Sequence, residues 1–272
     1  MRPPVDNMVK TLKRYYKIWL LFGAMSLQLS FVNRYTLLFF LFAKLVRYAT
    51  MLLFLFVLRQ NVNTVAGYSV DQMIVFLLVY QTVDTSAQIF FRGVYDFGEK
   101  IRSGTFDFEL LKPISSLFRG LLGNPDINDI LFAIPTFLLN IFIISRLDLH
   151  ISMGNIGWFF FLLFNGLLIA AAFHIFVLAA AVLIVDVDNV VWLYRDISRL
   201  GQVPITLHVE AIRWILLFVV PVGVMMSIPA EALLGLPTTI NWMLIPVVTL
   251  GFVGASLFTW KQALRRYTGA SS

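Results

Sequence analysis

The chain contains no cysteine among its 272 residues, and only 13% of its residues are charged. Without cysteine, disulfide frameworks, thiol catalysis and zinc–thiolate sites are excluded. The three histidines, His150, His174 and His208, are far apart in the sequence, which argues against a histidine-rich metal site. A G-x-x-x-x-G-K-[ST] phosphate loop is also absent, because the segment 98–100 has its lysine without the glycine frame or the hydroxyl residue. The chain is not expected to bind ATP through such a loop.

Apolar residues are abundant instead, at 59% of the chain. A soluble domain of this length is about half apolar and about a quarter charged, so the excess indicates a bilayer environment. Crossing a hydrocarbon core of about 30 Å takes roughly 20 residues. Six stretches are long and apolar enough, and lie near 36–58, 69–91, 128–146, 156–185, 212–229 and 241–260.

The distribution of basic residues predicts the orientation of these spans. Of the 21 Lys and Arg residues, six lie in 1–34, five in 92–127, three in 187–213 and three after Trp260. The opposite loops contain only Arg59 and Arg146, and the other two basic residues lie inside the first span. Because cytoplasmic loops carry an excess of Lys and Arg, both termini are predicted to be cytoplasmic. The expected fold is an all-α polytopic membrane protein with six transmembrane helices.

The first 34 residues predict a helix on the membrane surface rather than a signal peptide. No small-residue cleavage site follows the apolar run from Ile18, and Asn33-Arg34 leads directly into another span. Basic residues alternate with an apolar stripe at helical spacing, which is typical of an interfacial amphipathic helix. That stripe comprises Val9, Leu12, Tyr16, Trp19, Leu20 and Gly23. A second amphipathic stretch, 190–200, is expected to end at Gly201 and Pro204.

We therefore expect one transmembrane domain over the whole of 1–272. Its predicted parts are a cytoplasmic interfacial helix in 1–34, six spans in 36–260 and a cytoplasmic tail in 261–272.

One charged, glycine-containing segment, DFGEKIRSGTFDFELLKPISSLFRG (96–120), lies between the second and third spans on the predicted cytoplasmic side. Its residues follow the order Ile-x-x-Gly-x-hydrophobic-Asp-x-x-Leu-Leu-[Lys/Arg]-Pro, with Ile101, Gly104, Phe106, Asp107, Leu110, Leu111, Lys112 and Pro113 in those positions. In this the chain resembles the permease subunits of ABC exporters of the type-2 class. Near the end, Pro204, the run 215–221 and SIPAEALLG (227–235) resemble the last hairpin of that class, where a short Pro-Ala helix precedes the sixth span. The segment 201–204 departs from the class, which has an aromatic-rich Tyr-Pro element there.

The resemblance covers almost the whole chain and implies a function. Permeases of this class lack an ATPase domain, so ATP and Mg would be held by a separate ABC ATPase subunit, and this chain would bind no cofactor. A second permease chain, identical or paralogous, would supply the other half of the translocation path. The chain would be a non-catalytic subunit in the inner (cytoplasmic) membrane of a prokaryote, in contact with lipid and not with nucleic acid.

The resemblance also implies that the charged segment couples the permease to its ATPase. The residues implied are Glu99, Lys100, Ile101, Arg102, Gly104, Asp107, Leu110, Lys112 and Pro113. Gly104 permits a sharp change of direction if its φ is positive, and Pro113 is expected to start a new helical segment. The alternative is a plain inner loop whose basic residues only set the topology.

Ionisable residues inside the predicted spans need a partner, because each costs at least roughly 2.5–3.5 kcal/mol at the centre of a span. Span one contains Lys44 and Arg47, and span two carries Gln81, Asp84 and Gln88 on one helical face. At 1.5 Å per residue, the lysine and the aspartate lie about 12 and about 10 Å from the same membrane surface. They are expected either to pair or to line a path for a polar or charged headgroup. Alternatively, the lysine snorkels to the interface and the aspartate meets water there.

Two other classes of protein stay open at this point. A membrane-embedded transferase or hydrolase would need convergent acid, base or metal-binding residues, and the only close acidic pair near a span end is Asp186 with Asp188. An ion-coupled carrier is weakly disfavoured by the lack of a detectable internal repeat. His174, in the middle of span four, does not share a helical face with Asn165, and we expect it to be a packing residue.

The charge distribution generates a first prediction. A tag at Ser272 and a label within 96–110 should both be cytoplasmic, and residues 147–153 should be external. Membrane-impermeant labelling of single introduced cysteines in intact cells tests this. Labelling at 96–110 from outside would overturn the orientation.

Overall fold

A computed structural model describes residues 5–32, 34–184 and 188–269. Asn33, Asp186 and Ser272, and the side chains of Val9 and Asp188, lie outside the described residues. The helices are α1 (Val5–Val32), α2 (Arg34–Asn61), α3 (Val70–Phe91), α4 (Phe97–Arg102), α5 (Thr105–Leu110), α6 (Ser116–Leu122), α7 (Ile127–Ser145), α8 (Met153–Leu183), α9 (Asp188–Arg199), α10 (Glu210–Trp214), α11 (Ile228–Leu233) and α12 (Leu244–Arg266). A short hairpin, β1 (Thr64–Val65) with β2 (Tyr68–Ser69), joins α2 to α3.

Five helices in the described part of the chain are long and apolar enough to cross a membrane. They are α2, α3, α7, α8 and α12, and they confirm predicted spans one to four and six. Side-chain caps explain where three of them begin, since each cap satisfies a backbone N–H that has no partner within the helix. Ser69 forms a capping box at α3, Asp126 accepts from the backbone of Asn128 at α7, and Ser152 caps α8.

The predicted fifth span, near 212–229, is not a straight helix. This part of the chain forms two arms, Glu210–Val219 and Gly223–Leu233, which are bent by 81° at the break between them. Pro221 lies in the break, where its missing N–H and its ring prevent the helix from continuing. A π-helical turn flanks the break on each side, over Ile215–Val219 and Gly223–Ser227. The predicted short Pro-Ala helix before the last span is confirmed as α11.

The second amphipathic stretch forms a helix, α9, as predicted, and one face of this helix packs against α8 in the bundle. The ring of Tyr194 lies 4.6 Å from that of His174, which is nine residues before the end of α8. Val191 and Ser198 of the same helix are also buried. Just beyond α9, Gly201 meets the side chain of Met226 in the second arm. The chain from α9 onwards therefore runs back into the bundle alongside α8.

The second arm completes the passage to the other end of the bundle. A Cβ at Gly166 of α8 would lie 2.5 Å from the carbonyl oxygen of Met225, so the two backbones touch near the middle of α8. Further along, Gly235 meets the side chain of Asn155, close to the start of α8. Together, α9 and the second arm connect the two ends of the bundle where a single straight helix was expected.

Both described ends of the chain lie at the same end of the bundle as the charged segment. Arg14 donates to the backbone oxygen of Pro113 at 3.0 Å, and the ring of Tyr267 lies 5.3 Å from that of Phe106. We call this end the basic side, and the end that carries the loops 62–69 and 146–152 the opposite side. Even without the basic residues of 187–213, the segments 1–34, 92–127 and 261–266 at the basic side hold fourteen Lys and Arg residues.

The contact between α8 and the second arm generates a second prediction. Gly166→Ala should lower the free energy of unfolding by about 1–3 kcal/mol, because the new methyl group overpacks a backbone contact. Gly157→Ala, in the same helix, has nothing within 4 Å of the added Cβ and is the matched control. The control should be neutral or slightly stabilising. Thermal unfolding in detergent measures both variants, and equal midpoints would contradict the contact.

Candidate coupling segment and intramembrane charge cluster

The charged segment folds as a helical hairpin on the basic side. Helices α4 and α5 are joined at Gly104, whose φ is +69°, so the condition for a sharp change of direction is met. Residues with a Cβ rarely adopt this conformation. We call 97–111 the basic-side hairpin.

Aromatic residues anchor the base of this hairpin to the bundle. Phe97 and Phe106 are fully buried, with ring centroids 5.0 Å apart. The ring of Phe97 also lies 6.1 Å from that of Trp260 in α12, and Phe106 packs on Tyr267 just after that helix. The hairpin therefore has an apolar base that is continuous with the last span.

A buried carboxylate that the sequence analysis missed ties the hairpin to α6. Glu109 is only 3% exposed, and its Oε1 lies 3.2 Å from Lys100 and 3.2 Å from Arg119. Lys100, predicted to supply charge for docking, thus holds the two helices of the hairpin together. The signal for Glu109 was weak, because an acidic residue between Phe108 and Leu110 looks like an ordinary exposed one.

The outer surface of the hairpin is apolar with a charged border. Phe108 is 68% exposed and Leu111 is 83% exposed, and Leu110 beside them is 41% exposed. Glu99 and Arg102 form an exposed i,i+3 pair at 3.2 Å. We call the surface formed by Phe108, Leu110, Leu111, Arg102 and Lys112 the docking face.

Two further predicted residues of the segment lie off this surface. Asp107 faces the hydroxyl group of Tyr267. Burial raises the pKa of that phenol to about 12, and the carboxylate of Asp107 adds to the shift. Ile101 is half-buried and packs against the core.

The expectation that Pro113 starts a new helix is wrong by three residues. Helix α6 begins at Ser116 because the side chain of Ser115 caps it, accepting from the backbone of Phe118. The backbone N–H of Ser115 donates to the hydroxyl of Tyr15 in α1, at 3.2 Å. Helix α1 thus packs along the chain that follows the hairpin, with Tyr15 and Phe118 in edge-to-face contact at 4.6 Å.

Within the bundle, Lys44 forms its ion pair with Asp129 of α7 and not with Asp84. The carboxylate of Asp129 is fully buried, and the lysine side chain is 12% exposed. Asp84 is connected only indirectly, since Gln88 donates to it at 2.6 Å and lies 3.4 Å from the ammonium group of Lys44. The predicted Lys44–Asp84 pair is therefore corrected to a Lys44–Asp129 pair.

Arg92 completes a four-charge group at the basic end of this cluster. Its Nε lies 3.7 Å from Asp126 and 3.9 Å from Asp129, so two cations, Lys44 and Arg92, face two carboxylates. Burial raises the pKa of Asp126, at the N-cap of α7, and the neighbouring charge of Asp129 raises it further. The first turn of α7 suits carboxylates, because unpaired backbone N–H groups point outward there.

Further from the basic side, Arg47 and Gln81 line one cavity, as expected from their sequence positions. This cavity has a volume of about 320 Å³, and Asp84 also lines it. The side-chain amide of Gln81 donates to Thr85 at 2.9 Å, so the polar face of α3 is internally hydrogen-bonded. The structure places Lys44, Arg47, Gln81, Asp84 and Gln88 in one region between α2 and α3.

His174 packs among aromatic rings. It is buried, its Nδ1 lies 2.7 Å from the carbonyl oxygen of Ala170, and the rings of Phe91 and Tyr194 lie 5.0 and 4.6 Å away. Among the described residues, no three His, Asp or Glu side chains are grouped to hold a metal ion.

Long apolar helices that enclose a charged cluster define a polytopic α-helical membrane protein. A family model described as "ABC-2 family transporter protein" matches residues 45–271, which is 227 of the 272 residues. The chain belongs to the ABC-2 family of transporter proteins, so it is a membrane permease with a role in transport rather than catalysis. Comparisons with curated proteins and with solved structures gave no match.

The ion pair in the cluster generates a third prediction. Asp129→Asn should lower the free energy of unfolding by about 3–5 kcal/mol, because it leaves Lys44 as an unpaired charge inside the bundle. Lys44→Met combined with Asp129→Asn should recover part of this loss, since neither charge then remains. Asp84→Asn combined with Lys44→Met is the matched control, and its effects should be closer to additive. Strict additivity in the Lys44–Asp129 cycle would contradict the pairing.

Proposed function

We propose that this chain is the permease subunit of an ATP-driven exporter and that the basic-side hairpin docks to a separate ABC ATPase subunit. In this proposal the ATPase holds ATP and Mg, and two permease chains, identical or paralogous, together enclose the path. The basic side faces the cytoplasm of a prokaryotic cell, and α1 lies along the inner leaflet. The distribution of basic residues supports this orientation.

The observation that carries the proposal is the contrast between the two surfaces of the hairpin. Its inner surface is fully buried at Phe97 and Phe106, whereas Phe108 and Leu111 project from its outer surface at 68% and 83% exposure. Exposed apolar groups with a charged border mark a surface for contact with another protein or with a membrane. A purely topogenic loop needs basic residues and has no need of a buried base.

The base of the hairpin is suited to transmitting force. It continues from α3, and it contacts α12 through the Phe97–Trp260 pair. Close-packed interiors transmit displacement with little loss, because side chains cannot be compressed. A displacement of the hairpin would therefore move the membrane helices that surround the charge cluster.

The surface around α1 supports its placement against lipid. Tyr15, Trp19 and Phe22 face the protein, whereas Leu12 and Leu21 are 62% and 63% exposed. A helix with one face on protein and exposed apolar and basic residues elsewhere fits the headgroup region of a membrane.

The fourth prediction tests docking. Phe108→Ser combined with Leu111→Ser should abolish co-purification of the ATPase subunit that the organism encodes for this permease, because the apolar part of the docking face is lost. Membrane insertion and thermal stability should be unchanged, since both side chains are exposed. Met153→Ser, 85% exposed on the opposite side, is the matched control and should leave the complex intact.

A charge variant separates docking from folding. Exchanging the partners of the exposed pair, Glu99→Arg with Arg102→Glu, keeps their contact and the net charge but reverses the sign of the charge at each of the two positions. Weakened complex formation and reduced transport-linked ATP hydrolysis are expected. Normal assembly and normal coupled hydrolysis in both double variants would show that the hairpin is only a topogenic loop.

A further inference from the structure

Two cavities between α2, α3 and α9 share a pair of arginines. The first, of about 320 Å³, is lined by polar groups that include Arg47, Asp84, Arg195 and Arg199. The second, of about 240 Å³, lies towards the basic side and is lined by Lys44, Arg92 and the shared arginines, together with Phe40, Ala43 and Gln88. Arg47 and Arg195 line both cavities, so they stand at the boundary between them.

Most of the other cations here already have carboxylate partners. Lys44 pairs with Asp129, Arg92 lies near Asp126 and Asp129, and Arg199 pairs with Asp196 at 3.0 Å. These ion pairs lie within the protein and neutralise most of the positive charge of the three cations.

Arg47 and Arg195 are different, because neither forms an ion pair or a hydrogen bond with another described residue. The guanidinium group of Arg195 lies over the rings of Tyr95 and Trp192, at 5.9 and 5.5 Å from their centroids. Asp84 is the carboxylate that lines the first cavity together with both arginines, and it is already the acceptor of a hydrogen bond from Gln88. Two cations therefore face one shared anion, which leaves a surplus positive charge.

The position of Arg47 makes this surplus significant. It lies midway along α2 and is exposed. A guanidinium at membrane depth needs a counter-charge or a polar cavity. In contrast to the densely buried α3, only Tyr48 and Leu55 of α2 are buried, so α2 stands apart from the core and the arginine is reachable from the bilayer.

The walls of the larger cavity suit a ligand that has one charged end and one apolar end. Met51, Phe54 and Leu77 supply apolar surface beside the arginines. Guanidinium groups bind phosphate and carboxylate through paired N–H donors, an arrangement that the ammonium group of a lysine does not offer. An acidic headgroup would meet the arginines, and its hydrocarbon chain would lie along α2.

We infer that the cavity bounded by Arg47 and Arg195 binds the acidic headgroup of an anionic lipid-like amphiphile that enters from the bilayer beside α2. This inference rests on the proposed transport function, since it names the chemical class of the molecule handled by the same polar region. The site itself requires no ATPase.

Binding in the absence of the ATPase tests this inference. The purified full-length chain is titrated in neutral detergent with a fluorescent phosphatidylglycerol and with the matching phosphatidylcholine. The wild-type protein should prefer the anionic lipid, and Arg47→Gln or Arg195→Gln should each reduce that preference about tenfold, as expected for the loss of a charge-assisted contact. Arg59→Gln, on the same helix but paired with Asp71 on the opposite side, is the matched control and should keep the preference.

A variant with the opposite expected sign guards against misfolding of the arginine variants. Asp84→Asn removes the carboxylate that competes for the two arginines, so it should raise the affinity for phosphatidylglycerol severalfold. Equal affinity for the two lipids in the wild-type protein would overturn the inference, and so would unchanged preference in all three variants. If water-soluble glycerol phosphate at the same concentration displaced the lipid completely, the ligand would not need a hydrocarbon chain, and the claim that it is an amphiphile would be overturned. Weakened self-association of Arg47→Gln with unchanged lipid preference would assign the arginine to a second copy of the chain instead.

The outcomes separate this inference from the proposed function. If the docking-face variants lose the ATPase while lipid preference is absent, the permease role stands and the ligand class is wrong. If lipid preference depends on the arginines while the docking-face variants assemble normally, the binding site stands and the coupling role of the hairpin is wrong.

Discussion

Polar contacts hold α2 against the bundle, and among them an ion pair inside the membrane-spanning part joins Lys44 to the fully buried Asp129 of α7. Apolar packing alone does not fix this helix, because only Tyr48 and Leu55 among its residues are buried. Between lipid and protein there is little hydrophobic preference to hold a helix in place, so polar contacts decide the geometry. Tyr48 adds a second such contact by donating to Asn140 of α7, deeper in the bundle.

Helix α3, which borders the charge cluster, also leads into the basic-side hairpin. Gln88 near the end of α3 contacts Lys44, Arg92 in the next turn faces the carboxylates of α7, and Phe97 then anchors the hairpin. The charge cluster and the hairpin are therefore consecutive parts of one continuous stretch of chain. This arrangement gives the proposed coupling a short route, from the docking face to the residues that position α2.

The sequence was sufficient for the features that depend on local composition. Length and hydropathy predicted six spans, five of which are single helices in the structure. The pattern around Gly104 indicated the transporter family. The break at Pro221 followed a local rule for proline, yet a high local hydropathy over 212–229 concealed it. The course of the chain from α8 through α9 back into the bundle depends on packing against α8, and amino-acid composition does not reveal such packing.

The partner of Lys44 was missed for a related reason. A depth estimate compares neighbouring antiparallel spans, and so it favoured Asp84 on the next helix along the chain. Asp129 lies on a helix further along, and only the tertiary arrangement of α2 against α7 brings it to the lysine. Likewise, Glu109 is buried only because Lys100 and Arg119 converge on it in the folded hairpin.

The most direct test of this account is the distance between α2 and the core. Spin labels at Phe56 in α2 and Phe160 in α8, both exposed side chains, report it by pulsed electron resonance in lipid nanodiscs. One narrow distance distribution is expected in the otherwise wild-type protein and a broadened or shifted one after Lys44→Met, with Arg59→Met as the control on the same helix. An unchanged distribution after Lys44→Met would contradict the claim that the ion pair positions α2.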